Sequence, residues 1–299
     1  MRIALPLSPP ALLVLCAVWL APGLIGHSPW KSDDAIGIGV VHQMVSHGDW
    51  LLPRLAGEFY PDDGPLYYWI AASFARLFAW LLPVHDAARL AGGACIVLAL
   101  VFLRQAGRAF DAYGRRDTDA RDNDNGRRRG DGVMVVFIGS VGLLLHAHEA
   151  ISDAALLAAL ACAYYGAALV PTRPAAAGIA LGCGLGAAFL TAGIAPVLPL
   201  LVALLATPLF VRDWRERNCG VALGCALVAA LPWFVLWPWL LEARSPELFA
   251  AWLQKGNFAA FSQGATLTSA AYSLQTLAWF AWPAWPIALW DVCVIMRLV

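Results

Sequence analysis

Charge is scarce in this sequence: 13% of its 299 residues are Asp, Glu, Lys or Arg, against 61% that are hydrophobic. A chain with so little polar surface cannot enclose its apolar side chains in one soluble core, and it reads as an all-α polytopic membrane protein. Neither sign is in excess, 20 basic residues standing against 20 acidic, so the net basic face that nucleic-acid binding requires is missing and no nucleic acid is expected as a partner. No C-x-x-C pair occurs among the seven cysteines, all of which fall inside or at the ends of apolar segments. They read as small buried residues rather than as metal ligands or a disulfide framework. No A-x-A-like cleavage site follows the first apolar run, which is therefore read as a retained helix.

Long apolar runs are what the chain does have. Crossing a bilayer takes about 20 apolar residues of helix. Windows near 11–26, 87–104, 133–148, 154–170, 175–191, 194–211, 219–241 and 271–291 predict about eight transmembrane helices in one transmembrane domain spanning 1–299. The stretch 66–82 is apolar enough to span but carries Arg76 in its middle, at roughly 2.5 to 3.5 kcal/mol on insertion scales. Topology decides its place. The charged linker 104–132 holds eight arginines (Arg104, Arg108, Arg115, Arg116, Arg121, Arg127, Arg128, Arg129), which assigns it to the cytoplasm and predicts that it is flexible. With Met1 and Arg2 also inside, only two spans fit between them. Residues 66–82 are then an interfacial helix, with Tyr67, Tyr68, Trp69 and Trp80 at headgroup level. This arrangement puts 14 of the 20 basic residues in the cytoplasm. On the outer side lie 27–86, the link from His148 to Asp153, the turn Thr191 to Gly193, and the loop from Glu242 to about Ala270.

The acidic residues of interest sit in those outer segments. Asp33 and Asp34 follow the first helix, and paired carboxylates suit a general base or a hard divalent cation. They equally suit an ordinary helix start, with Ser32 as N-cap. In HAHEAISDAALL, helical spacing would put His146, Glu149 and Asp153 on one face, either as a metal site or as polar anchors at the interface. The run DARDNDNGRRRGD fails the calcium-loop template, because aligning Gly126 puts Arg121 where a carboxylate is required. Gly178, Gly182 and Gly186, four residues apart, predict close approach of another helix. Tryptophans at 233, 237 and 239 and at 279, 282, 285 and 290 read as an interfacial aromatic belt or as walls of a groove for an isoprenoid tail.

Taken in order, these residues resemble the GT-C class of membrane glycosyltransferases, in particular the glycosyltransferase 39 family that holds the lipid A aminoarabinose transferase and the protein O-mannosyltransferases. The resemblance rests on Asp33–Asp34 after the first helix, then on G-D-W-x-x-P-x-x-x-G at Gly48, Asp49, Trp50, Pro53 and Gly57. Asp62 and P-L-x-Y-W at Pro65, Leu66, Tyr68 and Trp69 follow, then A-A-R-L at Ala87 to Leu90, Asp153, and Pro232–Trp233. Two departures stand out: the family's E-K-P-P-L is Asp62 to Leu66 here, and its L-T-K-G is Leu190 to Gly193. The two lysines are thereby replaced by Asp63 and Ala192. The resemblance covers nearly all of this chain and about the N-terminal half of such an enzyme.

The resemblance implies a GT-C-like helical bundle with interfacial helices in the first outer loop, 27–86. It implies an inverting transfer of sugar from a polyprenyl-phosphate carrier to a lipid or envelope glycan acceptor, on the periplasmic side of the bacterial inner membrane. Asp33 would be the catalytic base and Asp153 a second catalytic carboxylate. Asp34, Asp62 and Arg89 would contact donor or acceptor, the arginine through a phosphate, with Asp34 and Asp62 also as ligands of a divalent metal ion. A truncated, non-catalytic subunit of such an enzyme is one alternative. A lipid or sugar transporter is another, although transporters place charged sites near the bilayer midplane and these spans are nearly free of charge.

Overall fold

The computed structural model describes residues 8–113, 120–211, 214, 217–258 and 267–296. Helices dominate them: α1 (Pro9–Leu20), α2 (Ser32–His47), α3 (Leu66–Leu77), α4 (Val84–Tyr113), α5 (Ala120–Ile138), α6 (Val141–His146) and α7 (Ser152–Leu169). Then come α8 (Pro174–Ala192), α9 (Val197–Phe210), α10 (Arg217–Arg244), α11 (Pro246–Trp252), a π-helical segment (Leu253–Phe258), α12 (Leu267–Phe280) and α13 (Ala284–Met296). One small antiparallel ribbon, β1 (Arg54–Leu55) and β2 (Glu58–Phe59), interrupts them. The all-α polytopic membrane architecture expected from composition is the one observed. Four helices, Val84–Phe110, Ser152–Leu169, Pro174–Ala192 and Arg217–Arg244, are long and apolar enough to cross a membrane, and Pro10–Leu20 and Val197–Phe210 are shorter apolar helices.

Several expectations are corrected in detail. The window 133–148 is not one helix, since α5 stops at Ile138 and Gly139–Ser140 turn the chain into α6. The window 271–291 is likewise divided between α12 and α13, at the point where Val141 N donates to Trp282 O at 3.0 Å. The charged run expected to be a flexible linker is helical from Ala120, and an Arg104–Asp131 ion pair of 2.7 Å ties α4 to α5. At 12 residues α3 is only about 18 Å long, well short of a bilayer core. Its Tyr67 and Tyr68 are nonetheless buried, not at a headgroup surface, whereas Trp80 is exposed. Arg76 escapes the apolar environment by lying over the Trp50 ring at 5.0 Å. Trp237 also leaves the expected belt, being buried among Trp252 and its neighbours.

The bundle is organised around α7, which is rich in alanine and buried on two faces. Ala154, Ala155, Ala158 and Ala161 belong to the core built with α1 to α5, while Ala159, Ala163 and Ala167 belong to the one built with α8 to α11. Small residues let the helices meet at backbone distance. A Cβ on Gly184 would lie 2.6 Å from Ala163 N, across the α7–α8 seam. Cβ atoms on Gly178 and Gly182 would each lie 2.3 Å from a carbonyl of α10, and one on Gly186 would strike Trp233. The glycine repeat is therefore a packing seam, as its spacing predicts.

Gly182→Val is expected to lower the melting temperature in detergent, overpacking of this kind costing about 1–3 kcal/mol. Gly224→Ala, on α10 with no atom near its Cβ, should hold or raise it through helix propensity. Equal melting temperatures for Gly182→Val and the parent chain would show that the seam opens without cost.

Candidate active site

Asp33 and Asp34 lie in the first turn of α2, where unpaired backbone N–H groups favour carboxylates. Ser32 does not act as the cap; the N-cap position is Lys31, and the Ser32 hydroxyl donates to Asp33 Oδ1 at 3.3 Å. The two aspartates part company at once. Asp33 is exposed, whereas Asp34 is 0% exposed and receives Ala150 N at 2.9 Å and Arg89 Nε at 3.3 Å on Oδ1, and Arg89 Nη2 at 2.7 Å on Oδ2. Arg89 is also 0% exposed, and its Nη1 donates to His27 O at 2.7 Å and to Asp86 Oδ1 at 3.4 Å. Asp86 in turn accepts from Gly26 N at 3.2 Å. Arg89, expected at a phosphate, and Asp34, expected at donor or metal, instead hold each other; their burial leaves no face for a ligand. The signal for this network was present in the i, i+3 spacing of Asp86 and Arg89.

The G-D-W-x-x-P-x-x-x-G stretch builds the support for the next site residues. Gly48 ends α2 with φ 74°, and Ala56 and Gly57, at φ 51° and 89°, form the two-residue turn of the ribbon, which needs positive φ at both positions. Pro53 O accepts Tyr60 N at 2.9 Å, Trp50 O accepts Trp69 Nε1, and Leu51 O accepts Trp237 Nε1 at 3.0 Å. Tyr60 is thereby held beside Asp62 and Asp63. Burial and the charges of Asp63, Asp62 and Asp33 push its phenol well above the ordinary range, so it stays a neutral donor.

The turns at this end of the bundle close on one another without spare room. Gly64 N donates to Thr191 O at 2.8 Å, and a Cβ on Gly64 would come within 2.0 Å of Leu190 O. Gly193, at φ 70°, meets Gly256 O, while Gly256 meets Pro61 O and Asn257 Oδ1 accepts Ile194 N at 3.0 Å. The positions where lysines are replaced, Asp63 and Ala192, thus flank one junction.

Of the second acidic pair, Asp62 is exposed and Asp63 turns inward, accepting the Tyr68 hydroxyl at 2.8 Å. Asp63 was not singled out from sequence as a site residue. Burial pushes its carboxyl above the ordinary range, with Asp153 and Asp62 adding to the effect, while hydrogen bonds from Tyr68 and Ser152 act in the opposite direction. Asp153, exposed in the first turn of α7, lies within electrostatic reach of Asp33, His146 and Glu149. His146, Glu149 and Asp153 do not share one helix as their spacing suggests. The turn after α6 still brings them together, with His146 Nδ1 3.2 Å from Glu149 Oε2. The structure therefore assembles Asp33, Asp62, Asp63, Asp153 and Tyr60 at one end of the bundle, and sets Asp34 and Arg89 beneath them. No group of three His, Cys, Asp or Glu among the described residues has metal-holding geometry, and the Asp34–Asp62 metal pair does not fit, because Asp34 has both oxygens engaged.

Comparisons with protein-family profiles and with curated proteins return no match. Solved structures do match. The apo crystal structure of ArnT from Cupriavidus metallidurans superposes with a TM-score of 0.63 at 21% identity, over 85% of this chain and 44% of that one. The structure of the same protein bound to undecaprenyl phosphate gives 0.64 at 22%, over 82% and 43%. The chain shares that fold and spans less than half the length of those chains.

Two measurements probe this geometry. Arg89→Met strands two buried carboxylates and should destabilise by about 3–5 kcal/mol, whereas Asp33→Asn, on an exposed group, should leave the melting temperature within a degree or so. For Asp63 the folded state holds its proton more tightly than the unfolded chain, which titrates near about pH 4, so its ionisation erodes stability as pH rises through that window. Asp63→Asn should consequently melt higher than the parent chain at neutral pH, the gap closing towards about pH 4. A gap that is constant with pH would rule out that account.

Proposed function

We propose that this chain is a membrane glycosyltransferase that takes a sugar from a polyprenyl-phosphate donor and gives it to a lipid or envelope glycan acceptor. The observation that carries the reading is the convergence of Asp33 and Asp153, from α2 and α7, in one exposed acidic cluster at the end of an apolar bundle. Support also comes from the resemblance of the sequence to the GT-C class and from the fold shared with ArnT, one structure of which holds undecaprenyl phosphate. The arginine distribution favours the periplasmic side of a bacterial inner membrane for the cluster.

In this mechanism the Asp33 carboxylate takes the proton of the acceptor hydroxyl as its oxygen attacks the anomeric carbon. The bond from that carbon to the phosphate oxygen breaks, and the electron pair departs with the polyprenyl phosphate. Attack opposite the leaving group inverts the centre. Asp153 accepts hydrogen bonds from sugar or acceptor hydroxyls, Asp62 contacts the donor sugar, and Tyr60 donates from a phenol that remains protonated. The phosphate is already a good leaving group, so positioning and one base supply most of the acceleration. Arg89 and Asp34 act from below as positioning residues, by fixing the first turn of α2 and the entry to α7.

Transfer of labelled sugar from a panel of polyprenyl-phosphate donors, with the intact chain in membranes, should be detectable and should fall about 100-fold or more in Asp33→Asn at matched expression. Undiminished transfer by that variant would remove Asp33 from the mechanism. Absence of transfer by the parent chain across the panel would favour the non-catalytic subunit.

A further inference from the structure

Glu149 is a buried carboxylate that the mechanism above does not use. Its side chain is 2% exposed, in the turn between α6 and α7, and its two oxygens face two different basic side chains: Lys31 Nζ at Oε1 and His146 Nδ1 at Oε2. Both partners reach outward, with side chains 27% and 36% exposed. With Nδ1 facing Glu149, the His146 ring presents Nε2 away from the carboxylate. Lys31 donates one of its three N–H groups to Glu149, and it also lies 4.9 Å above the Trp30 ring. Among the described residues neither Lys31 nor His146 has a second hydrogen-bond partner. The buried acid thus holds a lysine and an imidazole on its two oxygens, both side chains partly exposed.

The surroundings say what would bind. Lys31 is two residues before Asp33, and His146 acts electrostatically on Asp153, so the pair borders the acidic cluster. On its other side the His146 ring packs 5.6 Å from that of Phe280, the last residue of α12, whose Leu277 and Trp279 are exposed together with Trp282 and Trp285 beyond it. A head that needs cationic donors and a tail that needs an apolar helix meet at one edge.

We propose that Lys31 and His146, held by Glu149, receive the phosphate of a polyprenyl-phosphate lipid whose chain lies along α12. This assignment rests on the function proposed above and names residues that the sequence did not assign to donor binding. It also explains how an anionic donor approaches four aspartates: the phosphate meets the Lys31 ammonium and the His146 imidazole before it meets the acids.

The test is binding to the purified full chain in detergent, read by tryptophan fluorescence with a short-chain polyprenyl phosphate and, separately, with the matching polyprenol. Lys31→Met should weaken polyprenyl-phosphate binding about tenfold or more and leave polyprenol binding unchanged, with a smaller loss in His146→Gln. Because Lys31→Met leaves Glu149 uncompensated, the double variant Lys31→Met/Glu149→Gln, which buries no unpaired charge, is measured beside it and should lose the same affinity while melting normally. Lys255→Met, at the chain's other lysine, should bind as the parent does. Affinity within twofold of the parent in a folded double variant would overturn the assignment. So would competition by inorganic phosphate or by phosphatidylglycerol as strong as that by polyprenyl phosphate. The binding test separates this inference from the proposed function. Normal binding by the Lys31 variants, with transfer lost in Asp33→Asn, overturns the inference alone. Loss of binding in those variants, with no transfer by the parent chain, overturns the function alone.

Discussion

One buried guanidinium sets the geometry on which the acid-bearing end of the bundle depends. Arg89 reaches from the first turns of α4 to the Asp34 carboxylate of α2, to the backbone of His27, and to Asp86 one turn back on its own helix. Asp34 then takes the Ala150 amide just ahead of α7. A charge wholly removed from water is tolerable only with such complete pairing, and its value lies less in net stability than in the single arrangement it permits. Here that arrangement orients the two helix starts that carry Asp33 and Asp153. The exposed acids are set by a group that they do not touch.

The same logic runs through the non-ionic contacts. Gly64, Gly193 and Gly256 allow three turns at the acid-bearing end to close at backbone distance, and Gly178, Gly182 and Gly184 do the same for α7, α8 and α10. With no side chains between the backbones, there is little freedom for the turns to slide. A rigid floor under a polar surface is what a positioning mechanism needs.

Much of this was legible in the sequence, and the rest fails for identifiable reasons. Hydropathy located the helices because apolar length is what a bilayer selects, but it is blind to backbone breaks, and so the divisions at Gly139–Ser140 and at 281–283 were missed. Adjacent acids looked equivalent. On a helix of 3.6 residues per turn they point about 100° apart, so Asp33 and Asp34 must face different surroundings, and only the packing of α4 decides which turns inward. Asp62 and Asp63 divide in the same way in a loop, where Tyr68 fixes the inward one. Arg89 was picked out by the order of motifs, which carries no information about burial. Lys31 drew no notice because its partners, Glu149 and His146, lie more than a hundred residues away in sequence.

The distribution of charge separates an acid-bearing surface from an ion path. Along α7, α8 and α10 the buried faces are almost wholly small or apolar, and the charged side chains among the described residues collect at the helix ends. A transport path would need polar groups near the middle of the spans. Here the acids collect at one end of the bundle, close to the apolar flank of α12, and under the proposed function that is where a polar acceptor and a lipid-borne donor would meet. The chain has only two lysines. One of them stands two residues from Asp33 and is paired with the buried Glu149 at the edge of the cluster.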